Sequence, residues 1–304
     1  MNVVLSLLNW NSLVDTLSCL ESIHLLADAS LSICVTDNHS NTFDEKKIKE
    51  KMPSTVIFRN DDNLGFAAGH LQALNYAKNI KADLFWMLNN DLTVEKDSLY
   101  HLIEAYKKNG LGIYGSASLN KEGDLTQLDF WSIHPKKQTK SNFKLIDPKD
   151  LVVRPTVKVA NVMGYSFLIP LEVIRRYGFM DTSFFLYYEE TDYCLRMLEQ
   201  TIPSYWVGKS VVYHKKEGAV KQYPELKETI EYYLYRNLFI FLKRHAPISL
   251  ILHFLYRFMM RFLSANVASK TKVQRLTNKH LKGILHAFIG KKGKVYAPED
   301  HINK

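Results

Sequence analysis

Two hydrophobic rhythms alternate along the first hundred-odd residues. Short apolar runs that read as strands are separated by longer segments with helical spacing. Val3–Leu8 is a strand, and Asn11-Ser12 can cap a helix running to about Leu26. A second strand, Leu31–Thr36, ends on Asp37-Asn38-His39-Ser40-Asn41. A charged helix at about Asp44–Lys51, a strand at Thr55–Arg59, a loop at Asn60–Asn63 and a helix from about Phe66 to Lys78 come next. The strand Leu84–Leu88, a helix at Lys96–Lys107 and a strand at Gly112–Ser118 complete the series. A repeated strand–helix order predicts an α/β fold with a mostly parallel sheet and helices on both faces.

The stretch Leu84 to Leu92 is the most informative. Its five leading apolar residues suit a strand buried on both faces, and the run stops on Asn89-Asn90-Asp91. In open α/β sheets ligands sit beyond the carboxyl ends of the strands. An acid there is well sited to hold Mg²⁺ or Mn²⁺ bridging a diphosphate, and the same three residues also suit a plain turn.

Beyond residue 119 the pattern changes. Asn120–Pro155 is polar, rich in Lys and Asp and weakly periodic, as in a long insertion that carries substrate contacts. Val157–Ile169 returns to strand character around Gly164, and Pro170–Tyr177 reads as a short helix closed by Gly178. Tyr188–Gln200 is a strong helix, followed by short strands at Ser204–Val207 and Ser210–Tyr213. From Pro224 onward the chain is helical, with aromatic and aliphatic residues among Lys and Arg. Its densest apolar part, Asn237–Leu263, is broken at Lys243-Arg244-His245-Ala246-Pro247 and falls short of a bilayer span.

Charge sharpens the division. Residues 219–304 hold 16 Lys and Arg against 5 Asp and Glu; the whole chain is +9, which leaves the first 218 residues at about −2. A near-neutral body (residues 1–222, with a nucleotide-binding half at 1–118 and an acceptor half at 156–222) thus precedes a basic helical region at 223–304. That region either lies in an anionic membrane interface or packs on the body with a basic outer face. Its Lys and Arg alternate with Phe, Leu and Met in no nucleic-acid motif, so no nucleic-acid partner is expected. Cys19, Cys34 and Cys194 are widely spaced, with no CxxC pair, and read as buried thiols of a reducing compartment. The first residues, Met-Asn-Val-Val-Leu, lack a basic leader and read as a strand, so a cytoplasmic location is expected.

Polar islands at element ends carry the candidate chemistry. Asn9-Trp10-Asn11-Ser12 follows the first strand, and Asp37-Asn38-His39-Ser40 follows the second. Asp37 can accept a hydrogen bond from a pyrimidine N–H, or cap a turn. In Asn63-Leu64-Gly65-Phe66-Ala67-Ala68-Gly69, small residues at a helix start admit a phosphate or ribose, or serve packing. Asn89, Asn90 and Asp91 form the fourth island. Further on, Glu189, Glu190 and Asp192 crowd the front of a helix behind an aromatic run. Acids there suit the helix dipole, and dry surroundings would also raise one toward a general base, with Glu190 the candidate. His214, after a short strand, offers a neutral imidazole as a metal ligand or is simply structural.

Together and in order, NWNS, DNHSN, NLGFAAG, LNND, GYSFLIP, FFLYYEETDYCLR and VYH resemble the inverting family 2 glycosyltransferases over roughly residues 1–240. The likeness is to the bacterial rhamnosyltransferase-like branch that builds O-antigen and capsule. It implies a GT-A fold, a nucleotide-diphospho-sugar donor, dTDP-rhamnose or a UDP-sugar, and Mg²⁺ or Mn²⁺. It also implies a saccharide acceptor, lipid-linked at the inner face of the cell membrane. By position, Asp37 would meet the nucleobase. Asn89 would occupy the first place of the Asp-x-Asp motif, and Asp91 and His214 would bind metal. The family's Glu-Asp pair falls on Glu189-Glu190, with Glu where Asp is usual, which lengthens the base by one methylene. Asn9, Asn11, Asn63, Gly65, Asn89 and Asn90 would line the donor, and Gly164, Tyr165, Glu189 and Asp192 the acceptor side.

Two other classes compete. A sugar nucleotidyltransferase would need a Gly-rich basic loop after the first strand, which Asn9-Trp10-Asn11-Ser12 is not. A non-catalytic nucleotide-sugar binder would keep Asp37 and Asp91 without needing an acid at 190.

Overall fold

The structure is a computed structural model, and it describes residues 1–23, 30–120, 156–214, 226–256 and 278–297. The long polar stretch read as an insertion, residues 121–155, lies outside the described residues. Among the described residues, nine strands form one mixed sheet: β1 (Val3–Asn9), β2 (Leu31–Asp37), β3 (Val56–Arg59), β4 (Leu84–Asn89), β5 (Leu92–Val94), β6 (Ile113–Leu119), β7 (Thr156–Val159), β8 (Ser166–Pro170) and β9 (Ser204–His214). Their order is β3-β2-β1-β4-β8-β6-β9-β5, with β7 also on β9. The first four strands are parallel, β8 runs against both β4 and β6, and β6 and β9 are parallel again.

The apolar runs are explained by burial on two faces. In β1, Val3, Leu5 and Leu7 join Cys19, Leu20 and Ile23 of α1 (Leu13–Ile23), while Val4 points to the opposite layer. In β4, Leu84, Trp86 and Leu88 share the first layer, and Phe85 and Met87 the second. The second layer is roofed by α4 (Leu71–Asn79), α6 (Leu171–Tyr177) and α7 (Glu189–Glu199). A strand covered on both sides has no polar alternation to display. All three cysteines are buried free thiols, and burial pushes Cys34 and Cys194 up to about 12.

Several boundaries differ from the expectation. The helix expected over Phe66–Lys78 is two pieces, α3 (Phe66–Gly69) and α4, divided at His70. There the His70 N–H bonds to Ala67 O, tightening the turn, and its ring Nδ1 meets Ser6 Oγ at 2.7 Å. The three-residue β5 is too short to leave a period, and pairing with the far strand β9 creates it. The two strands expected around Gly208 are one, β9, whose register jumps from Ser116↔Val207 to Ala117↔Val211. Ser210, buried at the jump, bonds Ser116 Oγ at 2.7 Å, so the irregularity is held by side chains.

Helices α2 (Glu45–Lys51) and α5 (Ser98–Asn109) complete the body. The C-terminal region adds α8 (Leu226–His245), a helical stretch at 248–256 and α9 (Asn278–Phe288). It packs on the body: Phe239, Ile240, Phe241, Leu242, Ile251 and Ile284 share a core with Phe184 and Leu195. Arg236, counted in the basic tail, faces inward and is fully buried. Among the described residues, no helix is long and apolar enough to cross a membrane.

Candidate active site

Parallel register gathers the first polar islands into one row. Asn9 of β1 pairs with Asp37 of β2, Asp37 pairs with Arg59 of β3, and Leu8 pairs with Asn89 of β4. Strands in register end together, so the residues that stop their apolar runs line one edge. Asn9 is buried behind this edge. Its Nδ2 donates to Asp37 Oδ1 at 2.8 Å and to Ser40 Oγ at 3.1 Å, and its Oδ1 accepts from Thr16 Oγ1. Asn11 sits in left-handed backbone (φ 51°), its N–H on Ser40 Oγ and its Oδ1 on the Asn41 N–H.

Asp37 is also fully buried; its oxygens accept from Asn9 Nδ2 and the Ser40 N–H, and it forms an ion pair with Arg59, Nε lying 3.3 Å from Oδ2. The half-exposed polar group at that strand end is Arg59, which the sequence reading passed over. Its position closing β3 opposite Asp37 was the available signal. Asn90 donates to Thr16 Oγ1 at 2.9 Å and so ties the β4 turn to α1. These asparagines build the edge by hydrogen bonding it from within.

The second and third islands are joined by Asn38. Its Nδ2 donates to Asn63 Oδ1 and Gly65 O, and its Oδ1 accepts from Asn60 Nδ2 and the Leu64 N–H. That uses every hydrogen-bonding site such an amide has. Asn63 Oδ1 also accepts from the Gly65 N–H. Gly65 has φ +80°, and a Cβ there would lie 2.2 Å from Phe185 O, so no other residue fits. The close approach lets the Phe66 N–H bond Phe185 O at 2.8 Å. The Gly-containing helix start therefore touches the segment that leads to the paired glutamates.

The loop that leads into β8 meets the β4 end from the other side. The Asn89 N–H bonds Tyr165 O at 2.9 Å, and Tyr165 is anchored by its hydroxyl on Ser116 O. The neighbouring Gly164 N–H bonds the Glu190 carboxylate. A Cβ on Gly164 would stand 3.4 Å from the Phe66 ring and 3.7 Å from Glu190 Cβ. Asn89, Tyr165, Gly164, Phe66 and Glu190 thus form one connected neighbourhood.

Glu189 and Glu190 open α7 side by side. Burial pushes Glu190 above the usual carboxylate range, against the pull of the N–H groups of Glu190, Thr191 and Gly164. Burial raises Glu189 further still, helped by the charge of Glu190, and Glu189 Oε2 has no hydrogen-bond partner among the described residues. Glu189 is deeply buried, whereas Glu190 keeps partial access to solvent.

Asp192, expected on the acceptor side, is placed elsewhere. It is inaccessible to solvent and bonded to Arg196, Arg244 and His245, so its carboxylate is spent on joining α7 to α8. Asp91 lies partly exposed in the turn between β4 and β5, and the pairing Leu92↔His214 puts the His214 backbone beside it. The His214 side chain lies outside the described residues. Among the described residues there is no group of three or more His, Cys, Asp or Glu placed to hold a metal ion.

Comparison with known proteins agrees with this architecture. Residues 9–161, half of the chain, match the family model described as glycosyl transferase family 2. The chain is 22% identical over 230 residues to the low-salt glycan biosynthesis hexosyltransferase Agl10 of Haloferax volcanii, covering 75% of this chain and 71% of that one. Its fold is similar to residues 1–349 of S. aureus TarS, with a TM-score of 0.54 at 11% identity, over 81% of this chain and 67% of that one. A structure of GalNAc-T7 with UDP, GalNAc and Mn²⁺ is similar at a TM-score of 0.52 and 15% identity, over 70% of this chain and 44% of that one. The sheet and its covering helices are those of the GT-A fold, and the chain belongs to glycosyl transferase family 2.

Proposed function

We propose that the protein is an inverting, metal-dependent transferase moving a sugar from a nucleotide-diphospho-sugar, dTDP-rhamnose or a UDP-sugar, to a hydroxyl of a saccharide acceptor. The observation that carries this is the placement of Glu190. A partly exposed carboxylate with a raised pKa opens α7, bonded to Gly164 next to the residue that contacts Asn89 at the donor edge. Desolvation makes such a carboxylate a better proton acceptor than one in water.

The reaction then needs one displacement. The acceptor O–H gives its proton to Glu190 as its oxygen bonds to the anomeric carbon, and the bond from that carbon to the diphosphate oxygen breaks. Nucleoside diphosphate leaves with the bonding pair, and attack from the opposite face inverts the configuration. The strand-end row, with Asp37 and Arg59 at one end and Asn89 at the other, would hold the nucleotide along its length.

Asp91 and His214 are the residues that would hold Mg²⁺ or Mn²⁺. A carboxylate oxygen from the turn before β5 and an imidazole nitrogen from the end of β9 would suit those ions, with the diphosphate supplying further oxygens. Bound there, the ion would neutralise charge on the departing diphosphate.

The acceptor on this reading is lipid-linked, in bacterial surface-polysaccharide synthesis, and the enzyme works at the inner face of the cell membrane. The body at 1–222 carries the residues that contact donor and acceptor, and the region at 223–304 faces the membrane. Supporting this, Ile248, Leu252, Tyr256, Leu285 and Phe288 are exposed on the C-terminal helices and Ile289 just beyond them, with Lys282, Lys291 and Lys292 nearby in sequence. Exposed apolar side chains with lysines close to them in sequence suit an anionic interface.

A donor panel tests the function. Purified full-length protein is given dTDP-, UDP- and GDP-sugars with Mn²⁺ or Mg²⁺, with and without a lipid-linked acceptor, and nucleoside diphosphate release is followed. Turnover of one donor, abolished by EDTA and by Asp91→Ala, is the expected result. Donor binding without turnover under every condition would overturn the proposal.

A further inference from the structure

The path into the paired glutamates is strained. Phe185 has φ 71° and ψ −64°, and Tyr187 and Tyr188 have φ 68° and 74°, so three of the four residues before Glu189 sit in left-handed backbone without being glycine. Such backbone is costly for a residue with a side chain and persists only where its surroundings over-determine it.

The determinants come from the C-terminal helix. Asn237 Nδ2 donates to the carbonyl oxygens of Phe184 at 2.9 Å, Leu186 at 2.6 Å and Tyr187 at 3.0 Å. An amide nitrogen has two hydrogens, so one is shared between acceptors. Arg236 Nη2 donates to the same Phe184 O at 2.6 Å, its Nε to Asn237 Oδ1 at 2.9 Å and its Nη1 to Gly293 O at 2.6 Å. The guanidinium lies over the rings of Tyr232 and Tyr233. Both residues are fully buried, and the arginine's bonded partners among the described residues are three carbonyl oxygens and the Tyr232 hydroxyl rather than a carboxylate. Burying a cation on carbonyls is a poor way to gain stability and an effective way to fix a backbone.

We propose that Asn237 and Arg236 are positioning residues for transfer: from α8 they hold residues 184–187 in the strained path that delivers Glu190 to Gly164. The C-terminal region is on this account part of the catalytic unit, whatever else it docks to. The inference rests on Glu190 being the base, as proposed above.

The test compares wild type, Asn237→Ala, Arg236→Lys and Glu190→Gln as full-length proteins. Thermal unfolding, donor turnover and amide hydrogen exchange over residues 183–191 are measured for each. In Asn237→Ala, kcat should fall about a hundredfold, the scale of a misplaced catalytic group, while donor KM moves less than about threefold. Exchange should accelerate over 184–190 and not in β1 or β4. Arg236→Lys, which keeps the charge and loses the fork, should fall between. Should Asn237→Ala fail to fold, Arg236→Lys decides by the same split.

Unchanged kcat in a folded variant overturns the proposal, as does a loss of kcat that merely tracks faster exchange throughout the chain. If Glu190→Gln turns over like wild type, the base assignment fails and this proposal with it. If Glu190→Gln is inactive while both α8 variants are fully active, positioning alone fails. Should no donor be turned over, unchanged exchange at 184–190 in Asn237→Ala overturns it.

Discussion

Arg244 Nη1 donates to Asp192 Oδ1 at 3.0 Å, and through this contact the C-terminal helix grips the helix that carries the paired glutamates. Arg244 also reaches Asp181 Oδ2 at 2.6 Å, while Arg196 and His245 complete the shell around Asp192. Burial alone would push Asp192 up; the hydrogen bonds from His245 and Arg196, the charge of Arg196 and the bond from Arg244 outweigh it and bring the carboxyl down to about 2.

A depressed carboxylate pKa stabilises the fold above the unfolded value and loses that contribution as pH falls through the folded one. The cluster should therefore contribute about 2 kcal/mol at neutral pH, lost between about pH 4 and pH 2. Asp192→Asn should destabilise the chain by about 3 kcal/mol at pH 7, because Arg244 and Arg196 lose a buried partner. Urea midpoints across that pH range, for wild type and variant, check both, and the variant's curve should be flatter in acid.

Gly65→Ala should be far worse than its size suggests. The backbone at φ +80° costs an alanine about 1–2 kcal/mol, and the new methyl would overlap Phe185 O. The contact it breaks joins the Gly-containing helix start to the glutamate segment. Loss of donor turnover together with a lowered melting temperature is expected; an alanine variant with wild-type turnover would contradict the placement of Phe185.

Leu252→Asp and Leu285→Asp should leave melting temperature nearly unchanged, since both side chains are exposed. Each should reduce co-sedimentation with vesicles containing anionic lipid, and raised salt should weaken wild-type binding. Equal binding by wild type and both variants would remove the membrane role.

What the sequence disclosed follows from physics that is local. Leu84–Leu88 announced a central strand because both its faces are buried, and the residues that end β1, β2 and β4 could be placed on one edge because parallel strands end together. The charged helix at about Asp44–Lys51 was legible for the same reason, and the structure adds its cap, Asp44, whose side chain accepts from the Lys47 N–H three residues on. The three-residue β5 and the continuity of β9 depend on each other across more than a hundred positions, which no local pattern carries. Asp192 looked like a site acid because its partners, Arg244 and His245, are remote in sequence. Arg236 counted only toward the basic charge of the C-terminal region, and Asn237 only as the start of its densest apolar part, because nothing in the sequence of residues 184–188 shows a strained backbone that needs donors.

The central claim is that Glu190, and not its neighbour, takes the acceptor proton. The direct measurement is the pH dependence of kcat for wild type, Glu190→Gln and Glu189→Gln on the donor that the panel selects. Because burial raises Glu190 and the base must be ionised, wild-type activity should fall with decreasing pH at a point above the ordinary glutamate range. Glu190→Gln should lose about a thousandfold in kcat with donor KM little changed, and with it the acid limb. Glu189→Gln should keep substantial activity. A Glu190→Gln enzyme that retains its rate and its acid limb, beside a Glu189→Gln enzyme that loses both, would contradict the account.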